Sequence, residues 1–138
     1  MKTSILAGLT VGFLTGLWMF GEYALGLHDN PTGAGRWTGF LSLIFPLLGA
    51  YWIVSKSPRQ GWGMATRDGV TFGLTGGAVG GAAIYLYFAV VNPGFVVDGH
   101  PVDAGTQAVA GWSGSLLLGT VLTVIMHAIF GRKKKSHG

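Results

Sequence analysis

Glu22, in the stretch WMFGEYALG (18–26), is the one carboxylate read inside a run of apolar residues long enough to cross a bilayer. A charge at the centre of such a run costs roughly 2.5–3.5 kcal/mol even on the mildest scale, so an intramembrane acid is read first as functional, with a named partner. As a proton or cation site Glu22 would face Thr15, two turns earlier, and His28 just beyond the helix end. The simpler reading sets it within two turns of the outer interface, where it reaches headgroups or loop donors. His127 lies four residues after Thr123 and continues a small-residue ridge on the last apolar run. A lone histidine in a membrane bundle can ligate haem iron or a chlorin magnesium, or relay protons, and it can equally donate to a carbonyl at the interface. No C-x-x-C-H sequence accompanies it, and no cofactor is assigned. The segments HDNP (28–31) and DGHPVD (98–103) bring His28, Asp29, Asp98, His100 and Asp103 into two loops. These residue types suit a hard or borderline metal, but the spacing matches no ligand pattern. Gly99 and Pro101 read as a turn in a solvated loop, so no metal site is assigned. Neither G-x-S-x-G nor H-E-x-x-H occurs, and cysteine is absent. No catalytic residue is assigned, and the expectation is a protein that is not an enzyme.

The elements that carry these residues follow from composition. Hydrophobic residues make up 49% of the 138 and charged residues 10%, less than half the charged share of an average soluble domain. The apolar residues gather in four runs, about 4–27, 37–54, 69–91 and 107–130, each close to the 20 or so residues that span a bilayer. The expected fold is therefore all-α: a polytopic membrane protein with four transmembrane helices, one transmembrane domain over 1–138 and a short basic tail at 131–138. Lys2, Lys56, Arg59, Arg67, Arg132, Lys133, Lys134 and Lys135 fall on one side and Arg36 alone on the other. That asymmetry predicts both termini in the cytoplasm, in a multi-pass protein of the bacterial inner membrane. It also accounts for the pI of 9.7 without a nucleic-acid partner. The N-terminal run is too long for a signal peptide, and no small-x-small cleavage site follows it.

The third run contains GVTFGLTGGAVGG (69–81), in which Gly69, Gly73, Gly77 and Gly81 recur every four residues. Gly8, Gly12 and Gly16 form a shorter ridge on the first run, and Gly111, Ser115 and Gly119 one on the fourth. Lipid gives apolar burial no driving force between helices, so association depends on close backbone approach, which small residues permit. A phosphate-cradling loop would need a different glycine spacing between a strand and a helix. GLTVGFLTG (8–16) aligns with GVTFGLTGG (69–77), and WTGFLSL (37–43) with WSGSLLL (112–118). The order predicts a duplicated helical hairpin, each half closing with a Trp-initiated helix, with the first and third helices meeting through their ridges. Pro46 should bend the second helix, where its missing N–H breaks a hydrogen bond. Trp37, Trp112, Tyr23, Tyr85 and Tyr87 are expected in the outer aromatic belt, with Tyr51 and Trp52 in the inner one.

TRDGVTFG (66–73), followed by IYLYFAVVNPGF (84–95), resembles the bacterial integral-membrane family catalogued as domain of unknown function 4199. The likeness covers roughly residues 1–95 and, more loosely, the last helix with its tail; the segment after Phe95 is shorter here than in many members. The resemblance implies a four-helix inner-membrane protein and no activity. The leading functional expectation is a structural or accessory subunit that packs through its glycine ridges as a homo-oligomer or within a larger membrane complex, with the lipid bilayer as its other partner. One alternative is a small proton-coupled transporter using Glu22, similar to the small multidrug resistance family in having four spans with an acid in the first. It departs from that family in its strong charge bias and in the position of Glu22 near the outer end. The other alternative is a haem- or pigment-binding accessory subunit using His127.

Overall fold

The computed structural model describes residues 1–27, 35–58 and 60–131, with the backbone alone at 35 and 36. Helix α1 runs over Lys2–Ala24, α2 over Gly35–Leu41, α3 over Ile44–Lys56, α4 over Trp62–Leu86 and α5 over Ala104–Phe130. Helix α4 continues as one π turn, Tyr87–Val91, and a two-residue hairpin, β1 (Val96–Val97) with β2 (His100–Pro101), precedes α5. The chain has four spans long and apolar enough for a bilayer, Lys2–Ala24, Trp37–Lys56, Trp62–Val91 and Ala104–Phe130. Only 17–28% of their apolar windows is buried within the chain, so most of this apolar surface faces outward, as it must when the surrounding solvent is lipid. Met1 lies beside Asp68 and Trp62 beside His127, so both ends of the described chain sit at the same end of the bundle. With Lys2, Lys56 and Arg67 there, it is called the basic end below.

Helix α4 is the centre, and it presents a different face to each of two neighbours. The face carrying Gly69, Gly73, Gly77 and Gly81 lies against α5. A methyl built on Gly73 would fall 2.7 Å from Leu116 Cα, one on Gly119 2.8 Å from Gly73 Cα, and one on Gly69 2.9 Å from Thr120 Cα. The two main chains are therefore in contact. Gly77 meets Trp112, Gly81 faces the Ala108 carbonyl, and Gly111 rests against Ile84. Ser115 Oγ donates to the Gly73 carbonyl at 3.2 Å, and the Trp112 indole to that of Leu74 at 3.3 Å. Helix α1 uses the adjoining face. A methyl on Gly12 would lie 2.6 Å from the Gly76 carbonyl oxygen, one on Gly16 2.9 Å from Ala83 Cβ, and Gly8 adjoins Thr75 and Phe72. The first and third spans thus meet, but the α1 ridge rests on Phe72, Gly76 and Ala83 while the longer α4 ridge is taken by α5.

The two hairpins are not packed alike. Contact between α4 and α5 is the most extensive in the chain, whereas α1 touches α2 and α3 only lightly. Trp37 stands in the first turn of α2 but Trp112 in the third turn of α5, so the aligned tryptophans do not begin equivalent helices. The second span breaks at Ser42–Leu43, one turn before Pro46. Proline crowds the carbonyl four residues back and donates nothing to it. Here the Ser42 carbonyl accepts instead from Phe45 N at 3.2 Å, and Ser42 Oγ turns back to the Gly39 carbonyl at 2.6 Å. The third span starts at Trp62 and not at 69, so Arg67 and Asp68 belong to the helix. Tyr87 is 2% exposed and leaves the aromatic belt for the interior, where the rings of Phe20 and Tyr23 meet it edge-on.

Because Gly73 sits on backbone and Gly80 has nothing within 4 Å of a built methyl, the two should respond oppositely to the same change. Gly73→Ala should cost about 1–3 kcal/mol, the usual range for overpacking, and lower the thermal unfolding midpoint in detergent. Gly80→Ala should leave the midpoint unchanged or raise it.

Candidate functional site: a cleft below Glu22 and a buried Asp68

Glycine removes side chains where helices touch, and also where they do not. Between α1, the α2–α3 break, α4 and α5 lies a cleft of about 360 Å³. On α4 it runs from Phe72 to Ile84, about 18 Å along the axis. Gly76, Gly77 and Gly80 give its wall no bulk, Gly111 and Gly119 do the same on α5, and Ser42, Leu43 and Pro46 at the break close the opposite side. Its lining is mainly apolar, with Thr15, Ser42, Ser115 and Glu22 as the polar groups.

Glu22 marks the end of the cleft away from the basic end and is half-buried. Its Oε1 accepts from the Trp18 indole at 2.7 Å, and the same N–H lies 3.0 Å from the Thr38 carbonyl of α2. One donor is thus shared between a carboxylate on α1 and a main-chain oxygen on α2. Thr15 lines the same cleft, and Trp18 is a hydrogen-bond donor to Glu22. Trp18 is itself held edge-on by Phe45 of α3 at 5.8 Å. His28, the other partner expected for Glu22, and Asp29 lie outside the described residues.

His127 is 7% exposed, with its ring perpendicular to that of Trp62 at 4.9 Å. Its Nδ1 is buried with no hydrogen-bond partner among the described residues. The last turn of α5 closes over it, where Gly131 N donates to the His127 carbonyl at 2.8 Å. His127 and Glu22 stand at opposite ends of the bundle and share no site.

Asp68 is the residue that sequence reasoning missed. It is 4% exposed and lies within a span, a second such carboxylate in addition to Glu22 and far from it. Its Oδ1 has no hydrogen bond among the described residues and lies 3.7 Å from the Met1 amino group and 3.8 Å from Arg67 Nη2. The available signal was periodicity: Asp68, Phe72 and Gly76 follow one another at four-residue spacing on the α4 face opposite Ser4, Gly8 and Gly12. All six are buried.

The loop residues resolve differently. Asp98 and Gly99 both take positive φ, 51° and 79°, the two-residue type I′ geometry that suits a right-twisted hairpin. Asp103 is the N-cap of α5: its Oδ2 accepts from Thr106 N at 2.8 Å and from Thr106 Oγ1 at 2.7 Å. No group of three His, Asp or Glu that could hold a metal gathers among the described residues. No family model matches the chain, and no curated protein or solved structure matches it either.

The Thr106 hydroxyl, and then its amide, hold the Asp103 carboxyl below its ordinary value of 3.8. A depressed carboxylate adds stability that is complete above the ordinary value and is lost as pH falls through the lower folded one. Protection of the Thr106 amide from exchange should follow that curve. Asp103→Asn, an equally good cap, should make the protection independent of acid pH, and Thr106→Val should return the Asp103 midpoint toward 3.8.

Proposed function

We propose that the protein is a small proton-coupled membrane transporter whose solute occupies the cleft and whose exchanging group is Glu22. The observation that carries this reading is the coincidence of the cleft with the carboxylate: a 360 Å³ space inside a four-span bundle has an acid at one end. That volume falls in the range of small-molecule sites, about 300–1,000 Å³. The glycine ridges support the reading indirectly. They are consumed within the chain, so they hold the bundle together and leave little of their surface for a partner. Glu22 can hold a basic solute or a proton; taking up the proton removes the charge that retains the solute, which couples the two fluxes. Trp18 keeps the carboxylate turned toward the cleft and α2, and the broken second span is the element with the fewest contacts to hold it in one position. The lining favours an apolar body with one amine. We assign the chain to the bacterial inner membrane with the basic end in the cytoplasm, on the eight-to-one division of Lys and Arg.

An accessory subunit, homo-oligomeric or in a larger complex, is favoured by a separate observation: Gly39 and Gly114 are exposed, with nothing within 4 Å of a built methyl. Co-purification of a stoichiometric partner from native membranes, lost on Gly114→Leu, would support that role.

Transport is read in proteoliposomes loaded with a pH-sensitive dye and challenged with a panel of amphipathic monoamines. Glu22→Gln should abolish amine-driven proton movement, and Gly80→Leu, which fills the cleft, should reduce it about tenfold or more, as expected when a bound solute is displaced by side-chain volume. Unchanged flux in Glu22→Gln removes the transport reading.

A further inference from the structure

Toward the basic end the cleft stops at Phe72, which lines it and is 3% exposed. The Phe72 ring is wedged between helices: its Cζ lies 2.7 Å from a methyl built on Gly49 of α3, and its Cδ1 3.2 Å from one built on Gly119 of α5. Ala7, Ala50 and Ile53 complete the apolar layer around it. Asp68 lies one turn further along the same face of α4, about 6 Å along the axis. One aromatic layer therefore separates a partly polar cleft from a buried carboxylate.

Asp68 is held by two long ion pairs and not by charged hydrogen bonds. A structural carboxylate pair has charged hydrogen bonds of about 2.7–2.9 Å, often two in parallel. Asp68 Oδ1 has none, and the cationic groups near it, at 3.7 and 3.8 Å, belong to side chains 63% and 51% exposed. Ser4 occupies the turn of α1 between Met1 and Gly8, and its hydroxyl is completely buried without a partner among the described residues. A buried, unsatisfied oxygen on each of two facing helices costs free energy, so the arrangement calls for something that both can bind. Among the described residues, Lys2 on α1, Tyr51 and Lys56 on α3 and His127 on α5 are the other titratable groups at this end; the two lysines and Tyr51 are exposed, and His127 packs on Trp62.

We propose that Asp68 is a second proton-binding site, filled from the basic end past Arg67, with Ser4 as the adjoining hydroxyl and the Phe72 ring as the barrier between it and the cleft. The proton comes from water at the basic end and adds to a carboxylate oxygen. The resulting carboxyl is neutral and can both donate and accept, so it can pair with the Ser4 hydroxyl. In this arrangement Phe72 prevents protons from running through the bundle uncoupled. The role of the path rests on the transport reading above, whereas protonation of Asp68 is measurable without it.

The test uses the full chain in liposomes and dicyclohexylcarbodiimide, which reacts with protonated carboxyls in apolar surroundings; modified residues are mapped by peptide mass spectrometry. Asp68 should be labelled, and the labelling should fall as the pH rises, because only the protonated carboxyl reacts. Phe72→Ala, checked for unaltered helicity and elution, should raise passive proton leak about tenfold, and adding Asp68→Asn should return it to the wild-type level, as for a relay that needs its acid. Asp68 unlabelled at every pH, or labelled to the same extent at every pH, would overturn the proposal without reference to any variant's folding. So would a Phe72→Ala leak that survives Asp68→Asn. If Glu22→Gln leaves amine-driven flux intact while Asp68 still labels with pH, the transport reading fails and the proton site stands.

Discussion

The contact on which the rest of the structure depends is main chain against main chain, between Gly73 of α4 and the Ser115–Gly119 turn of α5. In lipid, a leucine on one helix gains nothing by leaving the acyl chains for a leucine on another. What remains is the number of atoms brought within van der Waals range, each pair giving about 0.1–0.2 kcal/mol. Replacing side chains with hydrogen lets the axes close until backbone meets backbone, and Ser115 can then reach the Gly73 carbonyl. Gly8, Gly12 and Gly16 repeat the device on the neighbouring face, so α4 acts as a spine for α1 and α5.

The second span lacks such a ridge, and its geometry follows from that lack. Gly49 is its closest approach, against Phe72 and Val11, and above it Pro46 breaks the helix. The span therefore cannot lie flush along α1 and α4. The cleft is the space left between three helices in backbone contact and a fourth that is bent away. Gly76 shows the two outcomes of one residue type. On its α1 side the Gly8 carbonyl stands 3.2 Å from a built methyl, and the same residue lines the cleft; Gly80, one turn on, meets nothing.

Much of this was legible in the sequence. Four spans follow from four apolar runs, and the structure contains them. Pro46 announced the break, although the break falls a turn early because the crowded carbonyl is that of Ser42. The helix ends were less legible, because hydropathy averages over a window: Arg67 and Asp68 depress it where the α4 backbone is already helical. That averaging also hid Asp68. Tyr87 was placed at the interface by residue type, yet its neighbours Phe20 and Tyr23 bury it. The choice of partner for each ridge was not legible at all. Glycines at four-residue spacing state that a helix will be approached closely but not by which neighbour, and the repeat between 8–16 and 69–77 suggested an equivalence that the packing does not keep.

The two carboxylates occupy positions that the solvent makes understandable. Gly16 is level with Ala83, so Glu22, six residues on, is level with the π turn at Tyr87–Val91. Some 20 residues of α4 separate that level from Asp68, about 30 Å of helix, which equals the thickness of the hydrocarbon. The two acids therefore stand about one hydrocarbon thickness apart, each toward one end of its span, and the layer between carries hydroxyls and carbonyls but no charge among the described residues lining it. A charge in that middle layer would have to be paired on the spot, whereas Asp68 has Met1 and Arg67, and Glu22 the Trp18 indole, within reach. Hydroxyls of Thr15, Ser42 and Ser115 can line the cleft because each is neutral, and Ser115 already donates to a carbonyl. The two acids are then kept apart by the apolar layer that Phe72 fills, with Ala7, Ala50 and Ile53 around its ring.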